Sequence, residues 1–294
     1  MKPKTFFLIL ILLTFSFLTS AQTQTTDSTL VKIETTDGNE FLGNIVSEDD
    51  LQIVLKTDKF GEITIRKIDI KSRELVQPQQ IKEGELWFDN PQSTRYFWAP
   101  NGYGLKKGEG YYQNIYVLWN QFTYGVTNNF SLGAGVIPLF LFDGSPTPIF
   151  ATAKFSVPLE KDKFNLGGGA IVGTVLGESD DVGAFGIVYG VSTFGSPDNN
   201  ITFGLGYGFA AGEWASSPLI NLSGLFRISS RGYIITENYY ISIEGEGGVV
   251  IGLGGRWIIK KAALDFILGI PIVPEMDAFI AFPVIGFTIP FGNK

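Results

Sequence analysis

The segment ITFGLGYGFAAGEW, residues 201–214, alternates large apolar side chains with small ones in a period of two. Successive side chains of a β-strand point to opposite faces, so one face of this strand is apolar and aromatic and the other is almost bare. The large positions are Ile201, Phe203, Leu205, Tyr207 and Phe209, and the small ones are Thr202, Gly204, Gly206, Gly208 and Ala210. Beyond the N-terminus no run approaches the roughly 18 apolar residues of a membrane-spanning helix. If the chain enters a membrane, it therefore enters as strands.

The same alternation recurs in the segments IFATAKFSVPLE, LINLSGLFRIS and GVVIGLGGRWIIK. A soluble β-sandwich turns its polar face to water, and that face is normally rich in Lys, Glu, Asp and Thr. Here the second face is mostly glycine, alanine and serine with a scattered charge. In a lipid-embedded barrel the arrangement inverts, because the outer face meets acyl chains and small inner residues suit a narrow lumen. The pattern predicts an all-β fold, an antiparallel transmembrane β-barrel.

About twelve barrel strands are predicted, and an even number places both ends of the barrel on one side of the membrane. For an exported protein that side is expected to be the periplasm. The predicted strands cover about 94–100, 110–126, 130–142, 148–159, 164–176, 184–195, 200–212, 218–229, 233–243, 248–260, 262–273 and 279–291.

The chain before the barrel divides by composition into four segments. Residues 1–21 carry Lys2 and Lys4, an apolar run and Thr19-Ser20-Ala21, the pattern of a cleaved secretory signal peptide. Residues 22–29 are expected to be a disordered lead, residues 30–76 a small periplasmic β module, and residues 77–93 a linker to the barrel at 94–294. The chain has no cysteine, so no disulfide stabilises the exported product.

The small module has the period-two alternation of about four short antiparallel strands. Its Asp37-Gly38 turn, the segment EFLGNIVSEDD and the strand GEITI resemble SH3-like and Sm-like small barrels. Sm-like proteins bind RNA, but the segment has more acidic than basic side chains and follows an export signal, whereas nucleic-acid binding depends on neutralising phosphates. We therefore expect a periplasmic protein as its partner and no nucleic acid.

The signal sequence, the repeated alternation and the final segment FIAFPVIGFTIPFGNK together resemble the class of outer-membrane β-barrel proteins of Gram-negative bacteria. This resemblance implies the cell outer membrane as location. It also implies two partners, outer-membrane lipid and the barrel-assembly machinery, which would be engaged through the C-terminal strand. The expected function is a narrow small-solute channel or a structural barrel. The alternative is a secreted soluble β-barrel that binds a hydrophobic ligand.

The absence of histidine and cysteine limits the chemistry open to this chain. Ser-His and His-Asp mechanisms are excluded, and so are metal sites built on histidine or cysteine. The acidic segment GESDDVG lacks the spacing of a calcium loop. A paired-carboxylate site among Glu237, Glu244 and Asp265 remains open, since their faces are not established. The chain is expected not to be an enzyme, with no cofactor and no catalytic or metal-binding residue assigned.

Four charged residues on predicted strands are expected to face the lumen: Lys154, Arg227, Arg256 and Asp265. Charges on the lipid face of a barrel cost about 2–4 kcal/mol near the midplane, so an inward direction is the default. Two roles are open for them. They form a selectivity zone, or they form a mutual network of ion pairs that fills the lumen, because an unpaired buried charge is costly.

Overall fold

The computed structural model describes residues 30–77, 80–82, 85–141, 146–177, 183–243, 246–274 and 279–292. The chain divides into two compact units, Met1–Gly84 and Glu85–Lys294. The predicted signal peptide and disordered lead lie outside the described residues. No helix in the described part of the chain is long and apolar enough to cross a membrane.

The first unit contains a five-stranded antiparallel sheet with the strand order β4-β3-β2-β1-β5. Its buried core consists of Val31, Ile33, Ile53, Leu55 and Ile65, contributed by alternate positions of β1, β3 and β4. The strands are β1 Leu30–Thr35, β2 Glu40–Glu48, β3 Gln52–Thr57, β4 Gly61–Arg66 and β5 Ile70–Leu75, with a 3₁₀ turn at Lys67–Asp69. The resemblance to SH3-like barrels stays a prediction.

The Glu48 carboxylate links two parts of this sheet. It lies 2.9 Å from Lys67 Nζ and 2.9 Å from Arg73 Nη1. The hydrogen bond from Lys67, with that from Arg73, lowers the pKa of Glu48 below its ordinary value. These exposed pairs add little to stability, because water screens them.

The second unit is a closed barrel. Two short strands, β6 Ile81–Lys82 and β7 Glu85–Leu86, precede it along the chain. Within the described part of residues 85–294, twelve strands form the ring, and a two-residue strand, β15, pairs with the end of β14. The strands are β8 Glu109–Ile115, β9 Trp119–Gly125, β10 Phe130–Val136, β11 Thr147–Glu160, β12 Phe164–Leu176, β13 Phe185–Ser196, β14 Asn199–Ala210, β15 Glu213–Trp214, β16 Leu219–Arg227, β17 Gly232–Ile243, β18 Glu246–Ile259, β19 Ala262–Ile272 and β20 Phe282–Gly292.

Antiparallel pairing runs around the whole ring and closes it between β20 and β8, where Gly286 is opposite Ile115 and Gly292 is opposite Glu109. Closure leaves no strand edge in the lipid, which a spanning sheet requires. The prediction of an all-β barrel of about twelve strands is confirmed.

The two ends of the barrel differ in their connections. At the end where β8 begins and β20 ends, here called the terminal end, the turns cover only 126–129, 161–163, 197–198, 228–231 and 260–261. At the opposite end, here called the loop end, the connections include the longer segments 137–146, 177–184 and 273–281. Barrels of the bacterial outer membrane have short periplasmic turns and longer outer loops.

The apolar faces of the strands point outward. On β14, Phe203, Leu205 and Tyr207 are 46%, 43% and 47% exposed, whereas Thr202, between two outward residues, is fully buried. The same alternation holds on β19, where Leu264, Phe266 and Leu268 are exposed and Asp265 and Ile267 are buried. A soluble barrel would show the reverse, so these side chains meet lipid. The soluble alternative therefore has no support from the fold.

Two of the predicted strands require correction. Residues 94–100 form no barrel strand; they lie inside the ring and contain only an isolated bridge between Arg95 and Pro100. The predicted strand 110–126 is two strands, β8 and β9, joined by a turn in which Tyr116 and Val117 have positive φ angles of 54° and 67°. The barrel wall therefore begins at Glu109. The two errors compensate, and the predicted count agrees with the observed count for that reason.

Candidate functional site

The lumen is occupied by a part of the chain itself. Residues 88–105, here called the inner segment, enter at the terminal end, where Phe88 N donates to Ser230 O. They reverse direction at a tight turn in which Tyr96 N donates to Ala99 O at 2.9 Å. They leave at the same end, where the Tyr103 hydroxyl donates to Gly195 O. From the sequence, residues 88–93 are predicted to be part of the linker and residues 94–100 the first barrel strand.

An apolar cluster forms around the reversal of the inner segment. Tyr96, Phe97 and Ala99 are at most 5% exposed. They pack against inward-facing wall residues, which are Ile115, Leu225, Tyr233, Ile235, Ile258 and Ile267. Around the reversal, several strands therefore direct an apolar side chain into the lumen. These side chains contact the inner segment and not water.

Arg256 joins the wall to the inner segment. It is opposite Asp265 in the pairing of β18 with β19, and its Nε and Nη2 donate to the two Asp265 oxygens at 2.7 and 3.0 Å. It also donates to Gln92 O at 2.7 Å, to Tyr96 O at 2.7 Å and to Asn90 Oδ1 at 3.3 Å. A guanidinium has five N–H donors, and all five are used here. The 1% exposed Arg256 is therefore paired in charge and satisfied in hydrogen bonding.

Glu237, on the neighbouring strand β17, binds the tip of the inner segment. Its Oε2 accepts hydrogen bonds from the backbone N–H groups of Phe97 and Trp98, both at 2.8 Å. Its Oε1 accepts one from the Tyr239 hydroxyl at 2.7 Å. A carboxylate that accepts two successive backbone N–H groups fixes the position of that turn, and charge-assisted bonds of this kind are the strong ones.

Hydroxyl groups of β13 and β14 hold a third part of the inner segment. The Tyr96 hydroxyl lies 2.6 Å from Asn200 Oδ1 and 2.6 Å from Thr202 Oγ1. Thr193 Oγ1 lies 2.6 Å from Thr202 Oγ1 and accepts from Gly102 N at 2.7 Å. These residues are buried, so their hydrogen bonds satisfy groups that water does not reach.

Gly102 shows why the lumen needs residues without side chains. A Cβ atom at this position would lie 2.6 Å from Asn165 O, closer than Cβ atoms approach oxygen in real structures. The backbone of the inner segment therefore touches the wall directly at β12.

A small cavity remains between the inner segment and the wall strands β8–β13, with a volume of about 40 Å³. Its lining includes two cationic side chains, Arg95 from the inner segment and Lys154 from β11. Lys154 Nζ donates to Thr94 O at 2.8 Å and to Tyr103 O at 2.6 Å. Arg95 donates from Nη1 to the Gln113 side chain and, at 3.5 Å, to Gln121 Oε1, and it lies over the Tyr111 ring at 5.1 Å.

The four charges expected in the lumen are distributed over two places. Lys154, Arg256 and Asp265 face the interior and contact the inner segment or its anchor. Arg227 lies at the terminal end, where it donates to Asp198 at 2.8 Å and to Phe88 O at 2.7 Å, with the Trp87 ring 4.7 Å away. Arg256 and Asp265 form an ion pair, whereas Lys154 has no carboxylate partner among the described residues. The selectivity zone stays a prediction.

Two residues of this site were missed or left open by the sequence analysis. Arg95 was assigned to a strand, and the signal that distinguishes it is its position between Pro91 and Pro100, which disfavour a central strand. Glu237 was considered as a carboxylate without a known face. It lies in the lumen together with Asp265, while Glu244 lies outside the described residues.

A closed ring of antiparallel strands with an apolar outer face and a polar, occupied lumen defines an outer-membrane β-barrel protein. Three solved structures similar to this chain are of OmpT, an outer membrane protein of Vibrio cholerae. The loop L8 deletion mutant has 10% identity and a TM-score of 0.35 over 90% of this chain and 97% of that one. The in-vitro folded trimer form has 11% identity and a TM-score of 0.28 over 90% of this chain and 97% of that one. The outer-membrane expressed form has 11% identity and a TM-score of 0.33 over 90% of this chain and 95% of that one. No protein-family model and no curated protein matches the chain.

The expectation that the chain is not an enzyme requires correction. The absence of histidine excludes only mechanisms that use histidine. The structure places two carboxylates, Glu237 and Asp265, inside the lumen at 5% and 1% exposure. The prediction was therefore too broad, and it is withdrawn.

Proposed function

We propose that this protein is a structural outer-membrane barrel whose lumen is closed by its own inner segment. The observation that carries the proposal is the attachment of residues 88–105 to three strands of the ring, through Arg256 on β18, Glu237 on β17 and Thr193 on β13. Hydrogen bonds to charged groups contribute about 1.5–3 kcal/mol each, so releasing the inner segment is unfavourable against a thermal energy of about 0.6 kcal/mol. In this conformation the barrel does not offer an open path to solutes.

A narrow small-solute channel is the second candidate. The residual cavity beside Arg95 and Lys154 favours it, because the inner segment does not fill the lumen completely on the side of β8–β13. A channel would then open when the inner segment shifts. The two candidates differ in one measurable property, the current through the barrel at rest.

We expect the purified full-length protein, inserted in a planar lipid bilayer, to show no sustained conductance. Glu237→Ala should produce frequent openings, since it removes the acceptor that holds the Phe97 and Trp98 N–H groups. Glu160→Ala is the matched control, because this glutamate is exposed at the last position of β11, at the terminal end. A steady ohmic current in the wild type would establish the channel and overturn the closed structural barrel.

A disulfide lock tests whether the openings come from the inner segment. A Cβ atom at Gly104 would lie 2.8 Å from Ser156 Cβ, so a shift of about 1 Å reaches the spacing of a disulfide. The natural chain has no cysteine, so Gly104→Cys with Ser156→Cys introduces the only thiol pair. In the Glu237→Ala background, oxidation should suppress the openings and reduction should restore them. Openings that persist after oxidation would show that the current does not depend on movement of the inner segment.

We further propose that the terminal end faces the periplasm and that the module at 30–76 is periplasmic, where it binds a protein partner. The short turns at the terminal end support this orientation. Protease added to intact cells should leave an epitope tag within the turn 161–163 uncut, whereas a tag in the connection 273–281 should be cleaved. The reverse pattern would contradict the orientation.

A further inference from the structure

The cavity beside Arg95 and Lys154 differs from the sites of Arg256 and Glu237 because its charges have no counter-ion or full set of partners in the lining. Arg256 has Asp265 as its counter-ion, and Glu237 is stabilised by three donors. Arg95 and Lys154 share one small cavity, and no carboxylate is among its lining residues. Two like charges that line one small cavity repel each other, and an anion between them relieves that repulsion.

The two cations also have hydrogen-bond donors to spare. Lys154 uses two of its three N–H groups on backbone carbonyls. Both hydrogen bonds of Arg95 start from Nη1, so its Nε and Nη2 make none with the described residues. Both side chains are partly buried and line the cavity, so donors that the protein does not engage are available to a ligand that enters it.

Neutral donors complete the lining. Thr123, Ser131 and Thr152 contribute hydroxyl groups and Tyr189 a phenol. Thr123 Oγ1 already accepts a hydrogen bond from Gln121 Nε2 at 2.9 Å, so its own O–H is left to donate. The chemistry of this lining is that of an anion site, with two charges and several hydroxyl donors around one space.

The size of the cavity restricts the ligand. A volume of about 40 Å³ compares with the roughly 10–15 Å³ that one water requires, so a halide or a single carboxylate group fits and a large solute does not. The lining includes Trp98, whose side chain is 46% exposed, so the cavity is not sealed by the inner segment.

We propose that the cavity between Arg95 and Lys154 binds a small, singly charged anion, either an inorganic halide or the carboxylate group of a small solute. The site combines one residue of the inner segment with one of the wall. A bound anion therefore connects the two, and it stabilises the closed conformation because it binds only where both cations face it.

The experiment titrates the full-length protein in detergent with bromide or formate and follows tryptophan fluorescence. The ionic strength is kept constant with a bulky sulfonate, 2-(N-morpholino)ethanesulfonate, which carries no carboxylate. Trp98 lines the cavity and contacts Trp119 at a centroid distance of 4.9 Å, so occupation should change the signal. We expect saturable binding in the wild type, and binding about tenfold or more weaker in Arg95→Gln and in Lys154→Met. Lys163→Met, an exposed lysine, is the control and should bind as the wild type does.

The bromide and formate titrations distinguish the two sources of the anion. Saturation with bromide but not with formate assigns an inorganic ion, and the opposite result assigns a carboxylate. A signal that does not saturate, or that is equal in all variants, overturns the site. Because Lys154→Met could fail to fold, crystals of the wild type grown with bromide or with formate provide a second measurement. A bromide anomalous peak or formate density between Arg95 and Lys154 supports the site, and the absence of both refutes it.

Discussion

Replacing Arg256 with alanine should lower the free energy of unfolding of the barrel by about 3–5 kcal/mol, the range for a buried ion pair that loses one partner. The change leaves the Asp265 carboxylate buried at 1% exposure without a counter-ion. It also removes the donors to Asn90, Gln92 and Tyr96, and with them the attachment of the inner segment to β18. Denaturant unfolding of the folded protein in detergent, followed by tryptophan fluorescence, measures the change.

Two controls separate the buried charge from a general loss of a side chain. The double variant Arg256→Ala with Asp265→Ala should be less destabilised than Arg256→Ala alone, because no uncompensated charge remains. Arg66→Ala removes an exposed pair with Asp69 in the first unit and should cost about 0–1 kcal/mol there. An Arg256→Ala protein within about 1 kcal/mol of the wild type would contradict the anchoring role of this residue.

Replacing Leu205 with arginine should destabilise the barrel by about 2–4 kcal/mol, as a charge near the bilayer midplane does. Leu205 is 43% exposed on the outer face near the centre of β14, where it meets acyl chains. The measurement is the free energy of unfolding from lipid vesicles, since detergent would weaken the depth dependence.

Ile228→Arg is the matched control for this prediction. Ile228 is 62% exposed and follows directly after the end of β16 in a terminal-end turn, close to the membrane interface. The same charge at that depth should cost about 0–1 kcal/mol. Equal effects at the two positions would show that Leu205 does not face the hydrocarbon layer.

The faces of the strands could be predicted residue by residue. Ile201, Phe203 and Leu205 point outward and Thr202 inward, as their alternation indicates, because the period of a strand leaves only two directions for a side chain. The inward direction of Lys154, Arg256 and Asp265 could be predicted from the same alternation, combined with the cost of placing a charge in lipid.

The inner segment could not be predicted in this way. Tyr96, Phe97 and Trp98 form an apolar run that by itself suits a strand as well as a buried turn. Their partners, Glu237, Thr202 and Arg256, lie more than a hundred residues later in the chain. Contacts at such separation leave no periodic pattern in the sequence, so the segment was assigned to the wall.

The sequence by itself determined that this chain forms an outer-membrane barrel, because a repeated apolar face that nothing in the chain covers needs lipid as its neighbour. Only the tertiary structure decided that residues 88–105 lie inside the ring. The reason is physical: Arg256, Glu237 and Thr193 acquire their roles from donors and acceptors that meet inside the ring, and closure of the ring brings them together.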